Sequence, residues 1–350
     1  MMAASQVSFE APFATLALDV HGGDHGLQIS LPAAAQALQT DPKLHIILVG
    51  QQAAIESAVS AAGMSFGARL SLRHAPDILA MDAKPMAVLR RGHSSSMRLA
   101  LQLVADGEAG ACVSSGGTAA LMTLGVKIIG MLPGIQRPAL MAHVPVAQGR
   151  TGMLDLGANL NVSAHQLVQF AVMGSVTAQL ADGIDQPRVG LLNVGHEDGK
   201  GHEVVRDAHQ QLKALPLNYI GFIEGHDIFS GQVDVAVCDG FVGNVMLKSS
   251  EGLASLLYTE LRQALDSNTR SRVGAWLAGP ALRRMLAWLD PSAHNGAPLL
   301  GLNGVVVKSH GRVDSKALAQ AILEAAREAR RRVPEKIETS IRTFHLETKV

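Results

Sequence analysis

The chain has 350 residues, enough for one large α/β domain or two smaller ones sharing an interface. Its 47% hydrophobic content comes with only 3% aromatics, so the core must be built from Ala, Val, Leu, Ile and Met, a mix that argues against disorder. Lys plus Arg and Asp plus Glu number 30 each, which leaves no global field to draw nucleic acid and makes anion binding a local matter.

In chain order, residues 1–13 read as a flexible tail with no basic head before an apolar stretch, unlike a signal peptide. Short apolar runs predict strands at 16–20, 45–49, 69–73, 111–114, 153–156, 189–193, 219–223, 234–238 and 305–308. Apolar residues spaced by three and four predict helices at 51–62, 96–106, 163–181, 203–215, 244–265 and 315–332. This alternation implies an α/β fold, a mostly parallel sheet with helices on both faces. Two extended runs, 138–146 and 150–156, are close enough to form a hairpin, a local antiparallel departure. The main domain is expected over 14–333, with a helical hairpin at 244–289, and 334–350 reads as a polar tail. Arg327, Arg330, Arg331 and Arg332 then form a solvated helix end rather than a nucleic-acid patch.

No apolar run approaches the ~20 residues that span a bilayer. Cys112 and Cys238 lie inside apolar strand runs, which fits packing in a reducing compartment better than a disulfide. The protein is therefore expected in the cytoplasm, or peripheral to a membrane.

In open α/β sheets ligands bind outside the carboxyl ends of the strands. Here those ends repeatedly carry small polar residues: His21-Gly22-Gly23-Asp24, Ser114-Ser115-Gly116-Gly117-Thr118, Gly157-Ala158-Asn159, Asn193-Val194-Gly195-His196, Asp239-Gly240 with Gly243-Asn244, and Lys308-Ser309-His310-Gly311. Such turns let backbone N–H groups approach an anion at a helix N-terminus, and six of them predict a polar cleft with a phosphate-sized occupant. Arg90-Arg91 followed by Ser94, Ser95 and Ser96 is a second anion candidate, alongside its reading as a helix cap. No G-x-x-x-x-G-K-[ST] and no G-x-G-x-x-G follows a strand, so no nucleotide cofactor is expected. His21 and His25 are separated by two glycines, and no HExxH or paired-Cys motif occurs, so no metal is expected either.

At these motifs the sequence resembles the PlsX family of acyl carrier protein-dependent phosphate acyltransferases. The resemblance runs from about Ala14 to Ala329 and is carried by Leu18-Asp19-Val20-His21-Gly22-Gly23-Asp24, Met81-Asp82-Ala83-Lys84-Pro85, Leu132-Pro133-Gly134, Asp155-Leu156-Gly157-Ala158-Asn159, Cys238-Asp239-Gly240-Phe241-Val242-Gly243-Asn244 and Lys308-Ser309-His310-Gly311. It implies a three-layer αβα fold similar to isocitrate and isopropylmalate dehydrogenases and phosphotransacetylases. It also implies a homodimer, acyl carrier protein as donor, inorganic phosphate as acceptor, and an acyl-phosphate product for a membrane glycerol-phosphate acyltransferase. The chain departs from the family pattern at a few places: Gly117 stands where Asn is usual, Val20-His21 where Ala-Met is common, and His196 where Thr is common.

A thiolate is a good leaving group, so phosphate can attack the thioester directly while the protein positions it and stabilises the oxyanion. Gly22, Gly23, Ser114, Ser115, Gly116, Gly117 and Thr118 are the expected cradle, with Asp19, Asp24, Arg91, Ser94, Ser95, Ser96, Gly195, Gly240, Gly243 and Asn244 as further binding residues. Lys200, Lys308 and His310 are candidates for neutralising charge or protonating the sulfur, oriented by Asn193 and Asp239. Trp276, Leu277, Leu282 and Met285, with Leu286, Leu289 and Trp288 nearby, form an Arg-flanked apolar segment broken at Gly279-Pro280. That pattern suits a membrane-interfacial tip or acyl-chain surface, or else a dimer contact or ordinary core packing. The competing functions are a phosphate acetyl- or butyryltransferase using acyl-coenzyme A and a non-catalytic lipid-binding scaffold.

Overall fold

The structure is a computed structural model that describes residues 13–83, 85–91, 93–146, 149–282, 285 and 295–346. Its strands are β1 (Ala14–Asp19), β2 (Leu44–Gly50), β3 (Leu70–His74), β4 (Ala111–Ser114), β5 (Ala139–Pro145) and β6 (Arg150–Leu154). They continue with β7 (Val189–Leu192), β8 (Tyr219–Ile223), β9 (Val235–Val237), β10 (Ala297–Leu300) and β11 (Val305–Lys308). The helices are α1 (Leu27–Thr40), α2 (Gln52–Ala61), α3 (Pro85–Arg91), α4 (Ser96–Ala105), α5 (Thr118–Ile128) and α6 (Ala164–Ala181). After these come α7 (Glu203–Lys213), α8 (Gly240–Asp266), α9 (Thr269–Leu277), α10 (Ser315–Arg331) and α11 (Val333–Thr343).

Two compact units result. The first takes the chain up to Pro138, Gln179–Asp185 and everything from Gly296; the second takes Ala139–Ala178 and Gln186–Asn295. Strand order in the first is β3-β2-β1-β4-β11-β10, parallel throughout except for β10 against β11. Alternate residues face opposite sides of a strand. Leu16, Leu18, Ile46, Leu48, Val113 and Val307 join one core with residues of α1 and α10, such as Leu31, Ala34, Leu318 and Ile322. Ala17, Cys112 and Val306 are buried on the other side, where α4 contacts β1 and β4. Burial on both faces explains why these strands read as unbroken apolar runs.

The register decides where function can sit. Asp19 pairs with Ser114, and Ser114 pairs with Lys308, so three neighbouring strands end level with one another. Three loops, opening at Val20, Ser115 and Ser309, leave from one edge.

In the second unit the order is β5-β6-β9-β7-β8. The expected hairpin is present as antiparallel β5 and β6, and the remaining neighbours are parallel. Leu154 and Leu191 both pair with Val237, which again brings strand ends level.

Local chemistry sets several boundaries. Asp239 caps α8 by accepting from the Val242 amide at 2.9 Å, so that helix starts four residues before the expected 244. Asn268 caps α9 in the same way through the Ser271 amide at 2.9 Å, which places a turn at 267–268. The break expected at Gly279-Pro280 comes slightly early, since α9 ends at Leu277. Residues 334–350, read as a polar tail, instead carry α11 as far as Thr343. Its Ile337 and Ile341, four apart, are buried beside Val333, while the other face is polar. No helix among the described residues is long and apolar enough to cross a membrane.

Candidate active site

Asp19 is the hub of the edge formed by β1, β4 and β11. Its side chain is 2% exposed. Ser96 Oγ donates to Oδ1 at 2.6 Å, the His21 amide donates to Oδ1 at 3.3 Å, and Ser114 Oγ donates to Oδ2 at 2.6 Å. Ser114 Oγ in turn accepts from the Gly116 amide at 3.0 Å. A serine hydroxyl has one proton. In Ser96 and Ser114 it is committed to Asp19, so these two serines brace the loops instead of offering a proton to a ligand. Ser95 is the N-cap of α4 and accepts from the Arg98 amide at 3.3 Å. The backbone of Ser94 ties the same turn to Asp77, whose amide donates to the Ser94 carbonyl at 3.2 Å.

Around this hub the glycines are required by contact. A Cβ on Gly22 would lie 2.7 Å from the Gly116 nitrogen, 2.9 Å from Asp19 Oδ2 and 3.0 Å from the Ser115 nitrogen. Gly23 has φ +82, a left-handed conformation that suits glycine, and a Cβ there would meet the Gly311 carbonyl at 3.0 Å. The three loops thus touch one another through backbone. Gly117 occupies the N-cap position of α5 and has no side chain to cap it, so backbone N–H groups at the start of α5 stay available to an anion.

The Met81 carbonyl lies over Gly117, in the space a Cβ would need, and the Met81 methyl lies over Gly311, 2.7 Å from where a Cβ there would sit. The family's usual Asn could enter position 117 only by displacing that carbonyl. Gly117 and the path of residues 80–83 therefore belong together.

Lys308 is 8% exposed and sends Nζ toward the carbonyls of Ser115, at 3.5 Å, and Ser309. It places a positive charge beside the Gly116-Gly117 turn. His310, two residues on, is exposed. Asp24 points outward, where Arg312 Nε donates to its carboxylate at 2.9 Å. Arg91 ends α3, and its side chain lies outside the described residues.

The second unit holds a separate group. Asp155 is fully buried and accepts four bonds: Leu140 N (3.0 Å) and Ala158 N (3.1 Å) at Oδ1, and Asn159 N (2.6 Å) and Asn159 Nδ2 (2.9 Å) at Oδ2. Burial pushes its carboxyl above the usual range even though these bonds pull the other way. Gly240 and Gly243 let α8 start directly against this loop, and Asn244 lies beside Gly157. Asn193 closes the turn after β7 by donating to the Gly195 carbonyl at 3.1 Å and the Lys200 carbonyl at 3.2 Å, with the Lys200 side chain exposed. His196 donates from Nδ1 to the Phe222 carbonyl at 3.0 Å, and its Nε2 lies 3.5 Å from Asp227.

Both cysteines are buried, and burial pushes both thiols up, which disfavours a thiolate nucleophile. Among the described residues no three His, Cys, Asp or Glu side chains gather as metal ligands. Trp276 and Leu277 on α9 are 79% and 68% exposed, and Met285 is exposed too. Trp288, Leu286, Leu289, Arg283 and Arg284 lie outside the described residues.

The family described as "Fatty acid synthesis protein" matches residues 14–336. The chain belongs to this family. It is 48% identical over 335 residues to a phosphate acyltransferase of Shewanella amazonensis, covering 95% of this chain and 98% of that one. A phosphate acyltransferase of Alkalilimnicola ehrlichii is 47% identical over 330 residues, covering 94% and 96%. Among solved structures, a phosphotransacetylase from Streptococcus pyogenes superposes with a TM-score of 0.62 at 19% identity, covering 92% of this chain and 95% of that one. The PlsX resemblance and the phosphotransacetylase-like fold are thereby borne out, and this member of the fatty acid synthesis family is an acyltransferase.

Sequence reasoning kept Asp155 within a motif but gave it no role. Its signal was the Gly157-Ala158-Asn159 turn, which needs a buried acceptor for its amides.

Proposed function

We propose that this acyltransferase moves a long acyl group from acyl carrier protein to inorganic phosphate, giving acyl-phosphate and the free carrier thiol, at the start of phospholipid synthesis. The observation that carries the reading is the level register of Asp19, Ser114 and Lys308, which turns three glycine-rich loops and the uncapped start of α5 into one anion cradle. The names of the relatives, which specify phosphate as acceptor, support it.

A phosphate oxygen attacks the thioester carbonyl carbon and forms a tetrahedral oxyanion. The C–S bond then breaks, and the departing sulfur takes a proton. Gly22, Gly23, Ser115, Gly116, Gly117 and Thr118 hold the phosphate in this scheme, Lys308 offsets its charge, and His310 supplies the proton. Ser96 and Ser114 act one step back, through Asp19. The direct test is mass spectrometry of palmitoyl-loaded carrier protein incubated with enzyme and phosphate. Acyl-phosphate formed in proportion to released thiol is the expected product. Equal or better turnover of acetyl-coenzyme A would instead favour a short-chain phosphotransacetylase, and no phosphate-dependent thiol release would leave only the lipid-binding scaffold.

The downstream glycerol-phosphate acyltransferase lies in a membrane, and the exposed Trp276 and Leu277 on α9 suit a peripheral contact with its surface. Trp276→Glu with Leu277→Glu is expected to abolish flotation with anionic liposomes, and unchanged flotation would remove that role. A homodimer fits the exposed Val245, Leu253, Leu256 and Leu257 of α8, which recur at helical spacing.

A further inference from the structure

His21 leaves β1 at the point where the cradle begins. Its ring turns away from the cradle, and Nε2 accepts from the Gln51 amide at 2.9 Å, at the start of α2. The following amide, Gln52, donates to His74 Nδ1 at 3.2 Å, at the end of β3. α2 has neither a side-chain bond from its N-cap residue nor an acidic residue in its first turn. Two imidazoles thus take the place of the oxygen acceptors that usually satisfy a helix start. The His21 ring packs over Gly50, where an added Cβ would come 2.6 Å from it.

An imidazole nitrogen accepts only when it carries no proton. His21 is therefore neutral here, with its proton on Nδ1. Protonating Nε2 would set N–H against N–H and add a cation at the positive end of a helix. The titratable and charged groups on the surrounding elements are Asp19 on β1, Asp24 and His25 in the same loop, His45 on β2, Arg73 and His74 on β3, and Glu56 on α2. Burial holds the His21 pKa below its ordinary 6.5, and Asp19 alone among these groups pulls it upward. The neutral ring thus contributes fully above about pH 6.5, and its contribution is lost as pH falls from there toward the lowered folded value.

We infer that His21 is a positioning residue for the phosphate cradle, its neutral ring clamping the β1 loop to α2 and so fixing Gly22 and Gly23 against Ser115 and Gly116. The link is short. Gly22 is the next residue, and its backbone packs against the Gly116 amide and Asp19. The inference rests on the phosphate-cradle reading above.

The test is steady-state kinetics with phosphate varied over about pH 5.5–8 for wild type, His21→Gln and His21→Phe, with circular dichroism to check folding. Gln keeps an acceptor that does not titrate, whereas Phe fills the space without one. Taking the ratio of wild type to His21→Gln cancels the titration of phosphate itself. KM for phosphate is expected to rise about five- to tenfold in wild type relative to His21→Gln as pH falls, with kcat changing less. His21→Phe should show the raised KM at pH 8 as well. Nitrogen NMR of the imidazole should show the Nδ1–H form at neutral pH. Matching pH profiles for wild type and His21→Gln, or an Nε2–H ring, would overturn the inference, and the Gln variant alone suffices if the Phe variant does not fold. Gly22→Ala separates the two levels. An unchanged KM for phosphate there would defeat the cradle itself, whereas a raised KM beside matching His21→Gln profiles would defeat only the role of His21.

Discussion

Asp19→Ala is expected to lower kcat/KM by about a thousandfold and to cost about 2–5 kcal/mol of folding stability. The two effects share one cause. Asp19 accepts hydrogen bonds from Ser96, Ser114 and the His21 amide, so removing it leaves two buried hydroxyls and a backbone amide without their acceptor. Ser114 Oγ would be free to rotate, and its bond from the Gly116 amide would no longer be fixed. The Gly116 turn of the proposed cradle then loses its set geometry. Asp19→Asn keeps an acceptor for Ser96 but turns an NH2 toward Ser114, so it should fall between wild type and Ala. Urea unfolding and steady-state kinetics read both quantities, and wild-type kcat/KM in the Ala variant would show that the carboxylate has no part in shaping the cradle.

Gly243→Ala is expected to cost at least about 3 kcal/mol and to impair folding during expression. The added methyl would overlap the Asp155 carbonyl oxygen and lie 2.9 Å from Cys238 Sγ. The carbonyl is backbone, in a loop pinned by the four bonds to the Asp155 carboxylate, so it cannot yield cheaply. Gly252, nine residues along the same helix, has nothing near its missing side chain. Gly252→Ala should therefore stabilise α8 by about 0.5–1 kcal/mol. Calorimetry on the pair separates close packing from helix propensity, and equal shifts would refute the contact argument.

Much of the sheet was legible because its strands are buried on both faces and read as plain apolar runs. The helices were less even. α1 escaped because Pro32 lies inside it and its buried face runs through small residues, Ser30, Ala33, Ala34 and Ala37, which blur the period. α11 escaped because only Val333, Ile337 and Ile341 mark its inner face among charged neighbours. In the candidate site, glycine turns follow the three strand ends that the register brings level. What a linear reading could not show was direction: whether Ser114 faces a ligand or Asp19 depends on a partner 95 positions away.

The place of β11 has a consequence for how the protein is made. It lies beside β4, yet it is synthesised almost 200 residues later. As the chain emerges from the ribosome, β1 and β4 can pair early, but β4 must wait with its other edge open until Lys308 arrives beside Ser114. An unpaired parallel edge invites wrong partners. A nascent chain halted before Val305 would hold Asp19 and its serines with no lysine to complete them, a state in which chaperones have the most to protect.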